Sequence, residues 1–220
     1  MFYIIPSPLG SLDDISKKVI DTIKSLDILY CENPSHTSRI LSKFDIQGVL
    51  LKKYVDQREL ILIPQIINDL KSHKKIGLIS DAGYPTISDP GYKLIRALVN
   101  ENINFEVLPG PTSIIPALIY SALPSNKFIF IGFLSKKKNK IKEELESSRG
   151  ITTIFFESPH RLHKTLNFLE EEYPLSSITI CREMSKLHQE IIHGTPKEIL
   201  DSNKLKDKIK GEITIVIYIP

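Results

Sequence analysis

The chain has 220 residues, of which 41% are hydrophobic and 25% are charged, and this balance is typical of a globular protein rather than a disordered or fibrous one. Only two cysteines occur, with no Cys-x-x-Cys pair, which excludes a zinc ribbon and favours a reducing compartment such as the cytoplasm. The net charge is +3, and the basic excess lies entirely after residue 124.

Targeting and membrane signals are not apparent. Residues 1–6 have no basic region and stop being apolar too soon for a signal peptide. The densest apolar run, 60–67, is interrupted by Pro64 and is far shorter than the ~20 residues that a spanning helix needs. We therefore expect neither secretion nor membrane insertion.

In the first part of the chain, short apolar runs are followed by amphipathic stretches, which is typical of an α/β architecture. Buried strands are predicted over 2–5, 28–31, 76–79 and 105–108. Asp13 is predicted to cap a helix that carries Ile15, Val19, Ile23 and Leu26 on one face, and further helices are predicted over 35–44, 59–70 and 112–122.

A domain boundary is predicted near 123–126, where proline and small polar residues interrupt this pattern. The expected domains are 1–124 and 125–220. In the second domain, strands are predicted over 127–134, 152–156, 177–182, 189–193 and 212–219, and helices over 139–148 and 161–172. Because strands and helices do not alternate regularly there, we expect a mixed α+β domain.

Three loops that follow predicted strands hold most of the glycine and proline: 6–10, 80–91 and 109–113. Ligands bind outside the carboxyl ends of strands in open α/β sheets, so these loops either converge on one cleft or are simply tight turns. Their glycines fit neither the dinucleotide fingerprint nor a P-loop. A ligand held by backbone groups and carboxylates is therefore favoured over one held by a phosphate cradle.

Charged side chains offer further candidates, each with a structural alternative. Asp81 and Asp89 either bind a ligand's hydroxyl, amine or cation, or cap the turn and the helix that follows. The lysine-rich run 136–142 either attracts phosphates or forms a solvated helix start. The groups within 157–161 and 182–190 either position a polar substrate or form surface ion pairs. No histidine and cysteine group completes a metal site, so no metal is expected.

Ordered motifs make the family recognisable. Residues 80–91 (SDAGYPTISDPG), 108–111 (LPGP) and 128–134 (FIFIGFL) resemble the class III methyltransferases, which have the tetrapyrrole-methylase fold. Residues 157–161 (ESPHR), 182–186 (REMSK) and 210–212 (KGE) resemble one branch of that family, whose members methylate a cytidine ribose 2′-oxygen of 16S rRNA. The similarity runs nearly from end to end of the chain.

The resemblance implies a two-domain homodimer, with a mostly parallel N-terminal sheet and a mixed C-terminal sheet, that binds S-adenosyl-L-methionine in a cleft between its domains. The implied cofactor-binding residues are Pro8, Ser80, Asp81, Ala82, Gly83, Asp89, Pro109, Gly110, Pro111, Thr112 and Ser113, with Phe133, Glu157 and Ser158 from the second domain. The implied partner is 16S rRNA in the small ribosomal subunit.

Methyl transfer to a ribose hydroxyl requires alignment of the two reactants, and a base that takes the hydroxyl proton assists it. Asp81, Glu32 and Glu183 are the candidate bases. The side chains expected to pair with RNA phosphates are Lys136, Lys137, Lys138, Arg161, Arg182 and Lys186.

Two alternatives are open, and a departure from the branch prompts the second of them. Where the branch usually reads Glu-Asp-Thr-Arg, residues 32–35 of this chain read Glu-Asn-Pro-Ser. The alternatives are a methylase of the same fold that acts on a small molecule such as a tetrapyrrole, and a ribosome-binding protein that has lost catalysis.

Overall fold

Each half of the chain is built on its own five-stranded sheet. The computed structural model describes residues 1–202 and 209–220, and contacts divide the chain into Met1–Thr112 and Ser113–Pro220. The division lies before the expected boundary at 124/125. The cause is the helix Ile114–Ser121, whose Ala117 and Leu118 pack in a hydrophobic cluster of the second unit.

The sheet of the first unit is wholly parallel, with strand order β3-β2-β4-β1-β5. Its strands are β1 Phe2–Ile5, β2 Ile28–Cys31, β3 Leu50–Lys53, β4 Ile76–Ile79 and β5 Phe105–Val107. Four of these were predicted. β3 was missed because its Leu-Leu-Lys-Lys sequence lies at the sheet edge and is only partly buried, so it lacks an apolar run.

Helices cover both faces of this sheet: α1 Lys17–Lys24, α2 Pro34–Lys43, α3 Glu59–Lys71 and α4 Tyr92–Asn100. Helices α1 and α2 contribute to one hydrophobic cluster and α3 and α4 to the other. The strands supply alternate residues to the two clusters, as Ile4 and Ile5 illustrate, because successive side chains of a strand point to opposite faces. Because all five strands are parallel, their carboxyl ends meet at one edge of the sheet.

The second unit has a mixed sheet with strand order β6-β7-β10-β8-β9, in which only β6 and β7 are parallel neighbours. Its strands are β6 Phe128–Phe133, β7 Thr152–Glu157, β8 Ser177–Arg182, β9 Glu190–Gly194 and β10 Ile213–Tyr218, and its helices are α5 Ile114–Ser121, α6 Lys138–Glu146, α7 Leu162–Glu172 and α8 Pro196–Asp201. Helices α6, α7 and α8 share one cluster with the sheet, and α5 shares the other. The predicted mixed architecture is confirmed, and α8 was not predicted.

No helix within residues 1–202 and 209–220 has the length and hydrophobicity of a membrane span.

The start of α1 differs from the sequence prediction. Asp13 lies in a short 3-10 helix, Leu12–Asp14, and Ser16 is the residue that caps α1, with its hydroxyl accepting a hydrogen bond from the backbone N–H of Val19 at 3.2 Å. The apolar spacing of Ile15 and Val19 extended the predicted helix backwards, whereas the cap geometry begins it at Lys17.

We expect Ser16→Ala to lower the free energy of unfolding by about 1 kcal/mol, the usual value of a lost N-cap hydrogen bond. Asp13→Ala is the matched control, since its exposed ion pair with Lys43 at 3.6 Å contributes little. Urea denaturation measures both. A larger loss for Asp13→Ala would contradict the assignment of the cap.

Candidate active site

The first two glycine- and proline-rich loops are joined by backbone hydrogen bonds. Ser7 donates to the Gly83 carbonyl at 2.7 Å and Gly83 donates back to the Ser7 carbonyl at 2.9 Å. The buried Ser80 hydroxyl also donates to the Gly83 carbonyl, at 3.0 Å. Gly83 has a φ of +70°, a conformation that glycine adopts at little cost. The loop after β4 is therefore fixed to the loop after β1.

The third loop lies against the first. A Cβ atom at Gly110 would come 2.2 Å from Cγ of Pro6, so no other residue fits at this position without rearrangement. The Tyr84 hydroxyl donates to the Leu108 carbonyl at 3.0 Å and links the middle loop to the third. The three loops therefore converge at the carboxyl edge of the parallel sheet, which is one of the two alternatives that their places after the strands left open.

A small open cleft lies at this edge. It is lined by Glu32, Tyr54, Leu78, Ile79, Ser80, Pro85, Asp89 and Pro90. Two carboxylates thus face one cleft, Glu32 after β2 and Asp89 in the middle loop. Asp81 and Asp56 lie near enough to interact electrostatically with both. Among the residues that the structure describes, no three His, Cys, Asp or Glu side chains form a metal-binding group.

Crowding of these acids raises their proton affinity. Burial, followed by the charges of Glu32 and Asp81, raises the pKa of Asp89 to about 7, and a hydrogen bond with Ser80 opposes part of that rise. Burial, followed by the charges of Asp81 and Asp56, also raises the pKa of Glu32, and Lys53 partly offsets the rise. Both side chains are therefore better proton acceptors than ordinary carboxylates once they are ionised.

Asp81 presents an acceptor atom with no protein donor. Its Oδ1 atom is buried and makes no hydrogen bond with any residue in the described ranges. A buried acceptor without a donor costs free energy, which a ligand hydroxyl or amine would recover.

The middle loop carries backbone strain next to the cleft. Thr86 has a φ of +74° and Ser88 a φ of +66°, in the left-handed region that non-glycine residues rarely occupy. Such conformations cost roughly 1–3 kcal/mol each and persist only where the surroundings hold them. Hydrogen bonds at both ends of the loop therefore matter for its shape.

In the second unit, Glu157 is buried and fully engaged. It accepts hydrogen bonds from the Ser158 N–H at 2.7 Å and from the Thr165 hydroxyl at 2.5 Å. Arg161 pairs with it at 3.4 Å and also donates to the carbonyls of Leu134 and Ser135. Arg161 therefore points inward and anchors the chain that follows β6.

Glu183 is held in a comparable network. Its Oε1 accepts from Lys186 Nζ at 2.9 Å and from the Glu212 N–H at 2.8 Å, and a Cβ at Gly211 would collide with its side chain. Burial alone raises the pKa of Glu183, but the Glu212 N–H and the Lys186 ammonium outweigh burial and lower the pKa. A carboxylate with a lowered pKa is a weak base, so this arrangement does not favour Glu183 as a proton acceptor.

The remaining predicted cations fall into two groups. Arg182 pairs with Glu190 at 2.8 Å, Lys138 with Glu171 at 2.8 Å and Lys142 with Glu172 at 2.5 Å. Lys136 and Lys137 are exposed, and within the described part of the chain no acidic group lies within 4.0 Å of them.

Phe133, at the end of β6, keeps 54% of its surface exposed. Its ring packs edge-on against Phe156, with the ring centres 5.5 Å apart. The phenyl group is therefore anchored on one side and open on the other.

Sequence reasoning missed two side chains at the cleft, Tyr54 and the Glu59 carboxylate that binds it. The Tyr54 hydroxyl donates to Glu59 Oε1 at 2.9 Å. The position of Tyr54 directly after β3 was the signal that would have found it, but β3 itself was not predicted.

Comparison with known proteins identifies the family and the fold. A family model, Tetrapyrrole (Corrin/Porphyrin) Methylases, matches residues 1–200. The structure superposes on the methyltransferase CobJ with a TM-score of 0.72 and 17% identity, covering 100% of this chain and 99% of that one. It also superposes on a uroporphyrin-III C-methyltransferase from Thermus thermophilus, complexed with S-adenosylhomocysteine, with a TM-score of 0.65 and 14% identity over 99% of this chain and 96% of that one.

Proteins of similar sequence indicate which branch of the methyltransferases the chain belongs to. The chain is 39% identical to ribosomal RNA small subunit methyltransferase I of Hydrogenobaculum, over 98% of this chain and 94% of the relative. It is 38% identical to the protein of that name from Thermotoga maritima, over 97% and 96%, and 40% identical to that from Rickettsia prowazekii, over 98% and 77%. The chain belongs to the tetrapyrrole methylases and, within them, to the family of ribosomal RNA small subunit methyltransferase I. It is a methyltransferase whose methyl donor is S-adenosylmethionine, and the resemblance seen in the loops is confirmed.

The first unit has groups that suit this donor. S-adenosylmethionine carries ribose hydroxyls, an adenine amine and an α-amino group, all of which donate hydrogen bonds. The Oδ1 atom of Asp81, which has no donor within the described residues, could accept such a bond, and Pro109 and Gly110 of the third loop are exposed. The residues present therefore fit the cofactor.

We expect Asp89→Asn to raise the free energy of unfolding at pH 8. The pKa of Asp89 in the folded state lies above its value in the unfolded state, so protonated Asp89 favours the folded state. This contribution to stability is lost as the pH rises from about 4 to about 7. The full shift would be worth about 4 kcal/mol, and we expect ~2 because Asp89 is partly exposed.

Chemical denaturation at pH 4 and pH 8 measures this difference. Asp21→Asn, on the exposed face of α1, is the control and should change stability little at either pH. An Asp89→Asn protein that is no more stabilised at pH 8 than at pH 4 would contradict the raised pKa.

Proposed function

We propose that this methyltransferase modifies the ribose 2′-oxygen of a cytidine in the 16S rRNA of the small ribosomal subunit, and that it does so in the cytoplasm as a homodimer. The names of its relatives support the RNA target, and the motifs over 157–161 and 182–186 support the same branch. The observation that carries the chemistry is the pair of desolvated carboxylates, Glu32 and Asp89, in a cleft at the carboxyl edge of the parallel sheet.

When bound, S-adenosylmethionine supplies a methyl group that is activated by its sulfonium sulfur. The residues of the chain must hold a ribose hydroxyl in line with that group and accept the proton as the C–O bond forms. A ribose hydroxyl is a weak acid, so a base of raised pKa is better matched to the task than an ordinary carboxylate. We assign proton acceptance to Glu32, since its pKa is raised and it faces the cleft.

Cofactor binding is assigned to the converging loops. Asp81 Oδ1 would accept a hydrogen bond from a cofactor hydroxyl or amine, while Ser80 and Gly83 hold the middle loop in shape. The other members of the proposed cofactor set are Pro8, Ala82, Asp89, Pro109, Gly110, Pro111, Thr112, Ser113, Phe133, Glu157 and Ser158. The Glu157 carboxylate already accepts hydrogen bonds from the Ser158 N–H and the Thr165 hydroxyl.

Contact with RNA phosphates is assigned mainly to Lys136 and Lys137, for which residues 1–202 and 209–220 supply no acidic partner within 4.0 Å. Lys138 adds a weaker contribution, because Glu171 offsets its charge. Arg161, Arg182 and Lys186 are tied to carboxylates or carbonyls and support the RNA-facing surface by holding its loops.

A tetrapyrrole substrate is not proposed, since the solved tetrapyrrole enzymes share only 14–17% identity with the chain and therefore support the fold alone. Loss of catalysis is not proposed either, because two acids, Glu32 and Asp89, face the cleft although residues 33–35 read Asn-Pro-Ser.

We expect transfer of labelled methyl from S-adenosylmethionine to isolated small subunits and to a 2′-oxygen of cytidine, mapped by mass spectrometry. Glu32→Gln should lower kcat by about 10²–10⁴-fold without a comparable change in cofactor affinity, since the amide cannot accept the proton. Glu101→Gln, an exposed acid remote from the cleft and paired with Lys71, is the control and should keep the wild-type rate. Absence of transfer to subunits, ribosomes and naked 16S rRNA alike would refute the proposed function.

We expect Lys136→Ala/Lys137→Ala to weaken RNA binding and to reduce the slope of log K against log salt concentration by about 0.7–0.9 per lysine. The double variant Lys138→Ala/Lys142→Ala is matched in charge but removes lysines already paired with Glu171 and Glu172, so its slope should change less. Binding titrations at several salt concentrations measure both. Equal slopes for the two variants would show that the unpaired lysines have no special role.

A further inference from the structure

A buried carboxylate lies behind the cleft and contacts two of its walls. Glu59, the first residue of α3, has only 2% of its surface exposed. Its Oε1 atom accepts hydrogen bonds from the Tyr54 hydroxyl at 2.9 Å and from the Gly91 N–H at 3.0 Å, and its Oε2 atom pairs with Lys93 Nζ at 3.3 Å. One carboxylate thus connects the residue after β3, the end of the middle loop and the first turn of α4.

One of these hydrogen-bonded neighbours lines the cleft, and the other directly follows two lining residues. Tyr54 lines the cleft directly, and Gly91 ends the loop that carries Asp89 and Pro90 into it. Gly91 has a φ of +128°, and a Cβ there would come 2.8 Å from Leu78 Cδ2, so the chain passes close to the sheet at this point. The shape of the cleft therefore depends on the position of Gly91.

The middle loop also requires a contact that holds its second end, at Gly91. Its beginning is secured by the Ser7–Gly83 backbone pair, but Thr86 and Ser88 lie between the two ends in strained conformations. A backbone hydrogen bond from the Thr86 N–H to the Pro90 carbonyl, at 3.2 Å, closes this stretch on itself, and the bond from the Gly91 N–H to Glu59 attaches it to α3. Hydrogen bonds to an ionised carboxylate are roughly twice as strong as neutral ones, which suits Glu59 to this purpose.

We infer that Glu59 is a positioning residue of the methyltransferase, which fixes the Tyr54 wall and the Asp89 wall of the cleft at the distance that transfer requires. It touches neither reactant. This inference rests on the proposed function only for the RNA substrate, since the contacts and the methyl donor are independent of the target.

The test compares two acid–lysine pairs that join α3 to α4. Glu59 pairs with Lys93 at the cleft end, and Lys71 pairs with Glu101 at the opposite end at 2.7 Å. Glu59→Gln keeps the size of the side chain and removes its charge, and Glu101→Gln makes the same change at the remote pair. Tyr54→Phe removes one hydrogen bond to Glu59 without creating a cavity, so it remains informative should Glu59→Gln fail to fold.

The first readout is independent of any RNA. Amide hydrogen exchange at Gly91 should become about tenfold faster in Glu59→Gln, the change expected when a charged acceptor is replaced by a neutral one. The pKa of Asp89, followed by carboxyl carbon NMR, should fall from about 7 toward its ordinary value, because a displaced loop end admits water beside Glu32, Asp81, Asp56 and Ser80. Glu101→Gln should leave both quantities unchanged.

The second readout is kinetic, at a temperature well below the melting transition of each variant. We expect kcat to fall about tenfold in Glu59→Gln and in Tyr54→Phe, and the Kd for S-adenosylhomocysteine to rise by a smaller factor. Asp89 is displaced, but the Ser80–Gly83 segment of the cofactor site is held separately by the backbone pairing of Ser7 with Gly83. Gly91 exchange, Asp89 titration and kcat that match those of Glu101→Gln would overturn the inference. A wild-type protein that methylates no RNA refutes the proposed function instead, and the Gly91 and Asp89 measurements then decide the role of Glu59.

Discussion

Mutual repulsion among carboxylates at one edge of the parallel sheet is the constraint on which the rest of the first unit depends. Glu32 and Asp89 face the same cleft, with Asp81 and Asp56 nearby, and the fold holds them in place although burial and like charge oppose ionisation. The order β3-β2-β4-β1-β5 causes the crowding, because parallel strands direct all their carboxyl ends to one edge. Helices cover both faces of the sheet, and the cleft lies at this edge.

Three kinds of contact resist the repulsion. Backbone pairing between Ser7 and Gly83 fixes the start of the middle loop, the fit of Gly110 against Pro6 fixes the third loop, and the Glu59 carboxylate holds Gly91 at the end of the middle loop. These contacts are buried or made by backbone, so water competes for them poorly. The strain at Thr86 and Ser88 is thus stored in a loop secured at both ends.

In the second unit, acidic side chains are engaged in hydrogen bonds and ion pairs that hold the structure together. Glu157 accepts hydrogen bonds at both carboxylate oxygens, from Ser158 and Thr165, and Glu183 accepts two at Oε1, from Lys186 and the Glu212 N–H. The Arg161 guanidinium donates hydrogen bonds to the Leu134 and Ser135 carbonyls. It thereby orients the segment that leads to Lys136 and Lys137. The inward-facing charges hold these segments in place, and Lys136 and Lys137 add positive charge at the surface.

The amino-acid sequence by itself determined the α/β class of the first half, the mixed class of the second, most strands and the places of the three loops, because apolar periodicity and glycine and proline punctuation are local properties. Its motifs also identified the family. It did not reveal β3, whose edge position removes the apolar signal, and it placed the cap of the first helix at Asp13 instead of Ser16. Only the tertiary structure decided which acids face a cleft and which are engaged by other side chains. Some of the deciding contacts join residues far apart in the chain, as Glu59 and Gly91 are, 32 positions from each other. Proton affinity follows from desolvation and neighbouring charge, and neither exists until the chain has folded.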